Sequence, residues 1–341
     1  MKRAIRWLCI LGVLGGLGWS GWWYLGARGQ EAGIQAWLDK QRKRGWTVET
    51  APVAVEGYPL DFRLSVGKLA LSDPRGGWSW SAPMLRAASR SYEPTRIIVT
   101  WPDEQVFEGG GDRAKVSSEK AETILDLRPG PSMELRQAAT RIENLRISAD
   151  RGGQSGVRSV NVDLAESATG TAPDNSYDLT VDATGLELPG FVLSKIDPAG
   201  RLDTLIDRFS IQAFATFRDA LGRHTMEKGD VALRAAKITQ AGFEWGKMRL
   251  SVSGEFTVNA EGYPEGSIEI EAHEWGQMVS LAVQARIIDQ GTAKTVTKAI
   301  NFINGLAGGR KELRAPLTLA EGKIKLGPFP IADAPRLAEK E

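Results

Sequence analysis

From Leu60 the chain alternates: Leu60, Phe62, Leu64 and Val66 fall on one side, and Asp61, Arg63 and Ser65 on the other. After Gly67 the phase shifts, so that Leu69 and Leu71 carry the apolar side. Successive side chains of a strand point to opposite faces, so this pattern predicts a strand with a bulge at Gly67. The alternation recurs in Tyr177 to Leu188, in Ile206 to Phe217, in Val231, Leu233 and Ala235, and in Met248, Leu250 and Val252. It returns in Ile268 and Ile270 and again in Leu317 and Leu319. One apolar face against one polar face is the signature of antiparallel sheet solvated on one side. The segment 108–156, with GGG at 109–111, RPGP at 128–131 and RGGQSG at 151–156, reads as loops around short strands.

Helical patterns lie at the two ends. The run WLCILGVLGGLGWSGWWYL, Trp7 to Leu25, carries no charge. At 1.5 Å per residue it extends about 28 Å, close to a hydrocarbon core of roughly 30 Å, and predicts a transmembrane helix. Trp7 at one end and Trp19, Trp22, Trp23 and Tyr24 at the other fit headgroup-level anchoring, while the many glycines lower helix propensity. The alternative is a cleaved signal peptide, for which Leu25 is a poor small-residue position; Cys9 comes too early for a lipoprotein signal. In QEAGIQAWLDKQRKRG, Ile34, Trp37 and Leu38 share a helical face before the stop signal Gly45, predicting an amphipathic stalk that either docks on the body or continues the anchor in solvent. WGQMVSLAVQARIID and TVTKAINFINGLAGG predict two short helices joined near Gln290 and Gly291.

The resulting expectation is a mainly β chain. It has a transmembrane signal anchor over 1–27, a stalk helix over 28–45, and a β-rich domain over 46–341 whose two subdomains would meet near 190–225. Many one-sided strands with few covering helices must largely cover themselves, as a curved sheet, a half-barrel or a sandwich formed from a long antiparallel meander. The candidate apolar groove comprises Leu60, Phe62, Leu64, Val66, Val231, Leu233, Ala235, Met248, Leu250 and Val252. Flanking charge is equivocal for orientation, with Lys2, Arg3 and Arg6 before the span and Arg28, Lys40, Arg42, Lys43 and Arg44 after it. The short stretch ahead of the helix favours a single-pass signal anchor that exports everything after it, which in a bacterium means an inner-membrane protein with its body in the periplasm.

Composition narrows the chemistry. With 341 residues, 42% hydrophobic and 25% charged, the chain has ordinary globular composition. Lys plus Arg (43) balances Asp plus Glu (42), so there is no basic field for a phosphate backbone and nucleic acid is not expected as a partner. The single cysteine, Cys9, leaves no intrachain disulfide. His224 and His273 are the only histidines, and His273-Glu274-Trp275 lacks the second ligand of a helical metal motif. GFEWGK (242–247) is one residue short of a phosphate loop and is followed by Met248 rather than Ser or Thr. Gly18-Trp19-Ser20-Gly21 is followed by Trp22 and is no nucleophile elbow, and Asp203 with Asp207 reads as solvated surface beside Arg201 and Arg208. No catalytic site, metal or cofactor is expected. Glu-Gly-Tyr-Pro occurs twice, at 56–59 and 261–264; turn chemistry accounts for both copies, and a duplicated hairpin is the alternative.

EGYPLDFRL (56–64), LELPG (186–190), the run from Glu227 to Ala272 and LTLAEGKIKLGPFPIADAPRL (317–337), in that order, resemble the bacterial family DUF2125. The resemblance spans most of the body and implies an inner-membrane-anchored periplasmic protein of alphaproteobacteria. The usual proline after Trp-Gly in the middle motif is Lys247 here, whereas the last motif keeps Leu-Gly-Pro at 326–328. No catalytic residue carries over. At greater distance the anchor, the Gly-aromatic-Pro entry and the meander are similar to AsmA-type envelope proteins, a fold-level analogy that implies lipid handling. Two functions follow as expectations: a non-catalytic β-groove that binds a lipid or other envelope amphiphile, or a packed structural module that docks on an envelope protein partner.

Overall fold

The computed structural model describes residues 2–168, 172–198, 200, 202–229, 231–307 and 312–338, with the backbone alone for 2–9, 226–228 and 302–307. The chain is mainly β, with eighteen strands and five helices among these residues. It divides into two compact units, residues 1–126 and 127–341.

The first unit opens with α1 (Lys2–Lys43), a single uninterrupted helix. The expected anchor and stalk are therefore one element, with no break at residues 27 and 28. Among the described residues no helix is long and apolar enough to cross a membrane. Gly12, Gly15, Gly16, Gly18 and Gly21, with the Trp-rich end, dilute the apolar run. Then come β1 (Thr47–Glu49), β2 (Ala54–Glu56), β3 (Asp61–Asp73) and β4 (Trp78–Arg90). β5 (Glu93–Thr100), β6 (Glu104–Gly109), β7 (Asp112–Ser117) and β8 (Lys120–Leu127) follow. The β3–β4 hairpin is the spine: β1 and β2 share the outer edge of β3, while β4 pairs with β6 over Trp78–Ser81 and with β5 over Arg86–Arg90.

The second half of α1 covers this hairpin. Leu38, 1% exposed, packs with Val53, Val66, Leu69 and Leu71, and Ile34 borders them; Trp37 points outward at 45% exposure. The amphipathic stretch is thus docked rather than solvated. The expected bulge at Gly67 is absent, because Gly67 faces Met84 and Leu69 faces Ala82 in unbroken register. The change of phase instead falls at Lys68, whose left-handed backbone (φ 49°) puts Val66 and Leu69 on the same side.

The second unit is a ten-stranded antiparallel meander in which each strand pairs with the next. β9 (Leu135–Ala149), β10 (Gly153–Glu166) and β11 (Ser176–Glu187) precede α2 (Gly190–Ile196) and β12 (Leu205–Phe217). α3 (Arg223–Lys228), β13 (Leu233–Trp245), β14 (Met248–Val258) and β15 (Pro264–His273) follow. α4 (Trp275–Gln284) and α5 (Gln290–Ala307) then lead to β16 (Glu312–Ala320), β17 (Lys323–Leu326) and β18 (Phe329–Asp333). α4 and α5 match the two helices expected late in the chain.

Three features differ from the sequence expectation. The segment read as loops holds β9 and β10, whose length was hidden by the glycine-rich turns at each end. α2 and α3 are helices inside the region read as strand. The subdomain junction expected near 190–225 falls within the second unit, where β11, β12 and β13 pair continuously. The two Glu-Gly-Tyr-Pro copies also differ: the first forms a turn with Tyr58 and Leu60 exposed, whereas the second buries Pro264 at the start of β15. Its Gly262 carbonyl takes the Leu337 N–H at 2.7 Å and its Tyr263 ring takes Arg336. The turn chemistry is shared and the surroundings are not.

Candidate functional site

Cross-strand register arranges the apolar positions of the second unit into rows that run across the strands. One row is Ile142, Val160, Ala183, Phe209, Phe243, Leu250, Ala272 and Leu313, from β9 to β16. The next is Thr140, Val162, Val181, Ile211, Ala241, Val252, Ile270 and Ala315. A third is Ala138, Leu164, Leu179, Ala213, Ile238, Gly254, Ile268 and Leu317. Strands lie about 4.8 Å apart, so each row extends roughly 34 Å.

The opposite face is polar and internally paired. Arg141 binds Asp163 bidentately at 2.7 and 2.8 Å, Arg208 donates to Asp182, and Arg314 pairs with Glu271. The Ser159 and Thr184 hydroxyls lie 2.7 Å apart.

Helices cover the apolar face unevenly. Over β14 to β18, Ala299 and Ile300 of α5 close on Ala272, Leu313, Ala315, Leu317 and Leu326, with Trp275 and Met278 of α4 at the margin. At one end of the rows, Ile196 of α2 joins Trp245 and Met248, with Leu193, Ile206 and Leu281 packed around them. At the other end Tyr177, 2% exposed, ties loops together: its hydroxyl donates to the Leu135 carbonyl at 3.1 Å and accepts from the Leu221 N–H at 3.2 Å. Burial pushes the Tyr177 phenol above its ordinary value. Between these ends Val160, Val162, Leu164, Leu179, Val181, Ile211 and Ala213 are half-buried and belong to none of the closed core clusters. This stretch of β10 to β12 is half-covered, with Ala183 buried in its first row and Phe209 beside it exposed.

The sequence-derived groove residues distribute as follows. Leu250 and Val252 stand in the first and second rows, and Met248, 1% exposed, lies in the α2 cluster. Leu233 faces Phe217 on the apolar side. Ala235 faces Thr216 and Thr257, on the opposite side from Ala236, which faces Ala215 and Phe256. The register shift that sets Arg234 apart breaks the alternation between them. Val231 precedes β13 and is 49% exposed, while neighbouring Ala232 is buried. Phe62 and Val66 are 2% and 5% exposed beneath α1, with Leu64 beside that core, so this set belongs to the first unit's closed interior. Leu60 is 55% exposed in the turn before β3.

The aromatic residues read as a membrane belt have protein partners. Trp19, Trp22 and Trp23 donate their indole N–H groups to the carbonyls of Pro59 at 2.9 Å, Ser91 at 3.0 Å and Asp61 at 2.8 Å. Trp23 also stacks on Phe62, and the Ser20 hydroxyl meets the Tyr58 hydroxyl at 2.8 Å. Tyr24 faces outward beside Arg28, and the Trp7 side chain lies outside the described residues. The spacing of Trp19, Trp22, Trp23 and Gly26 carried the signal for this joint, since it puts all four on one helix face, whereas a lipid belt has no preferred side.

Among the described residues no cluster of three or more His, Cys, Asp or Glu side chains could hold a metal ion. A pocket of about 250 Å³ beside α3 is lined by Ser132, Glu134, Asp219 and His224. The sequence profile of a bacterial family, described as an uncharacterized protein conserved in bacteria (DUF2125), matches residues 23–335. No curated protein and no solved structure gives a match.

Proposed function

The chain belongs to this DUF2125 family, and from that premise we propose that it is a membrane-anchored envelope protein that binds a lipid or other amphiphile without catalysing a reaction. The observation that supports this reading is the half-covered stretch of apolar rows in β10 to β12, around Val162, Val181 and Ile211. An acyl chain of about 14 methylenes buried there gains on the order of 11 kcal/mol against water. Association costs of roughly 4 kcal/mol or more reduce that gain. Exchange with a bilayer, where the chain is already out of water, would be near balance, as a carrier requires.

In this reading α1 is the anchor. Ile10, Leu11, Val13, Leu14 and Leu17 are exposed. The tryptophans at its body end suit the headgroup level, and glycine is common in membrane-spanning helices. The body then stands on the periplasmic side of a bacterial inner membrane.

The test places a photo-crosslinking amino acid in the full chain in cells, at Val162 or Val181 on the apolar face and at Thr180 or Gln212 on the polar face. Lipid adducts at the first pair and none at the second are expected, and Ala213→Trp reduces them. Adducts to protein alone, or none on either face, remove the ligand and leave the interaction module.

A further inference from the structure

Two turns of the first unit are fastened to α1 and to one another at the level where its apolar run ends. The Ser91 N–H donates to the Leu60 carbonyl at 2.8 Å, and the Ser91 hydroxyl, fully buried, reaches the Pro59 and Leu60 carbonyls. The Trp19, Trp22 and Trp23 indoles hold three carbonyls of these turns, at Pro59, Ser91 and Asp61. A Cβ at Gly26 would stand 2.6 Å from the Phe62 ring, so helix and sheet are in close contact one turn further on.

What the turns expose is apolar and aromatic. Tyr58 is 59% exposed, Leu60 55% and Tyr92 65%, and beside them on the helix are Trp22 at 53%, Tyr24 at 55% and Leu25 at 70%. Charged groups follow directly on the body side: Arg28 beside Tyr24 and 3.6 Å from Glu31, Arg63 on β3, and Arg90 paired with Asp61 at 2.7 Å. An aromatic patch bordered by cations has the chemistry of a bilayer interface, where rings sit among headgroups and cations meet lipid phosphates.

Length decides the depth. From Trp7 to Gly18 the helix rises about 18 Å, well short of a hydrocarbon core of roughly 30 Å. The run approaches that thickness only when Trp19 to Leu25 are also within the bilayer. Those residues carry the two turns with them.

We infer that the Tyr58–Leu60 and Ser91–Tyr92 turns form a membrane-contact surface that dips into the headgroup region of the bilayer, with the Trp19, Trp22 and Trp23 hydrogen bonds fixing their depth. The inference rests on α1 being the anchor. The far end of the β3–β4 hairpin, at Arg75, then lies about 40 Å further along the strand from these turns, at 3.3 Å per residue from Asp61 to Asp73.

The test uses the full chain with Cys9→Ser, reconstituted in phosphatidylethanolamine–phosphatidylglycerol vesicles. An environment-sensitive dye is placed at Leu60→Cys, Tyr92→Cys, Val13→Cys or Arg75→Cys. Leu60 and Tyr92 should give blue-shifted emission, quenched by shallow brominated lipids. Val13 should be quenched by deep ones, and Arg75 should stay aqueous. Two turn sites are used so that one misfolded variant leaves the other to decide. Aqueous emission at both turns with Val13 quenched overturns the contact surface and keeps the anchor; aqueous emission at Val13 as well overturns both.

Discussion

Trp23 stacks on Phe62 with ring centroids 5.7 Å apart and planes inclined by 25°. Phe62 is 2% exposed, so the indole forms part of the lid over one end of the β3 core. Trp23→Ala removes that lid and leaves the Asp61 carbonyl without its indole donor. A loss of about 2–3 kcal/mol is expected, against about 0.5 or less for the exposed neighbour Leu25→Ala. Denaturant unfolding in detergent micelles, followed by tryptophan emission, measures both.

Ile211 and Gln212 are adjacent on β12 and face opposite ways, Ile211 between Val181 and Ala241, Gln212 between Thr180 and Gln240. Ile211→Asp puts a charge among the apolar rows and should cost about 3 kcal/mol or more. Gln212→Asp should stay within about 0.5 kcal/mol. Equal tolerance by thermal melts would mean that the rows are not a continuous apolar face.

These pairs also show what was readable from sequence. Period two was visible in β3, β11, β12 and β14 because each has a stretch in which large apolar residues alternate with polar ones, as in Phe62–Val66 and Met248–Val252. It failed at Ala235, where the shift at Arg234 changes the face; at Lys68 the change of phase was read correctly but its cause is a left-handed residue rather than an inserted one. Gly67 marks the second place in the sequence, and no glycine or proline adjoins Arg234 to mark the first. β9 and β10 were hidden because their apolar rows include Thr140 and Ala138, and because glycine-rich turns dominate the local composition. The helix joint was missed for a different reason. Trp19, Trp22 and Trp23 satisfy both a lipid interface and a protein one; their shared helix face is the sign the sequence holds, and the Pro59, Asp61 and Ser91 carbonyls that accept from them identify the protein partner.

Tyr177 stands between Leu135 and Leu221, whose own backbones meet at 2.6 Å. Tyr177→Phe keeps the ring on Phe217 and removes both hydroxyl contacts, leaving two backbone groups to find other partners. A cost of about 1–3 kcal/mol is expected. Because burial raises the folded phenol's pKa, the unfolded chain loses its proton first as pH rises. The wild type should therefore lose stability progressively above about pH 10, and the Phe variant should lack that component. Melting temperatures at neutral and alkaline pH provide the comparison.

Asp289 caps α5, with its carboxylate accepting the Thr292 N–H at 2.7 Å. That backbone hydrogen bond, with smaller help from the Gly291 N–H and the Thr292 hydroxyl, holds the carboxyl below its ordinary value. A carboxyl depressed in the folded state stabilises fully above the ordinary carboxylate range, and the contribution disappears as pH falls through the folded value. The cap matters because α5 carries Ala299 and Ile300, 0% and 2% exposed, onto β16 and β17, so its first turn holds one border of the covered core. Asp289→Ala should lower the melting temperature at neutral pH, Asp289→Asn should recover part of the loss by accepting the same bond, and the difference between Ala and wild type should shrink as pH falls through the folded carboxyl's lowered value. A difference that persists undiminished in acid would show that Asp289 acts by something other than its charge.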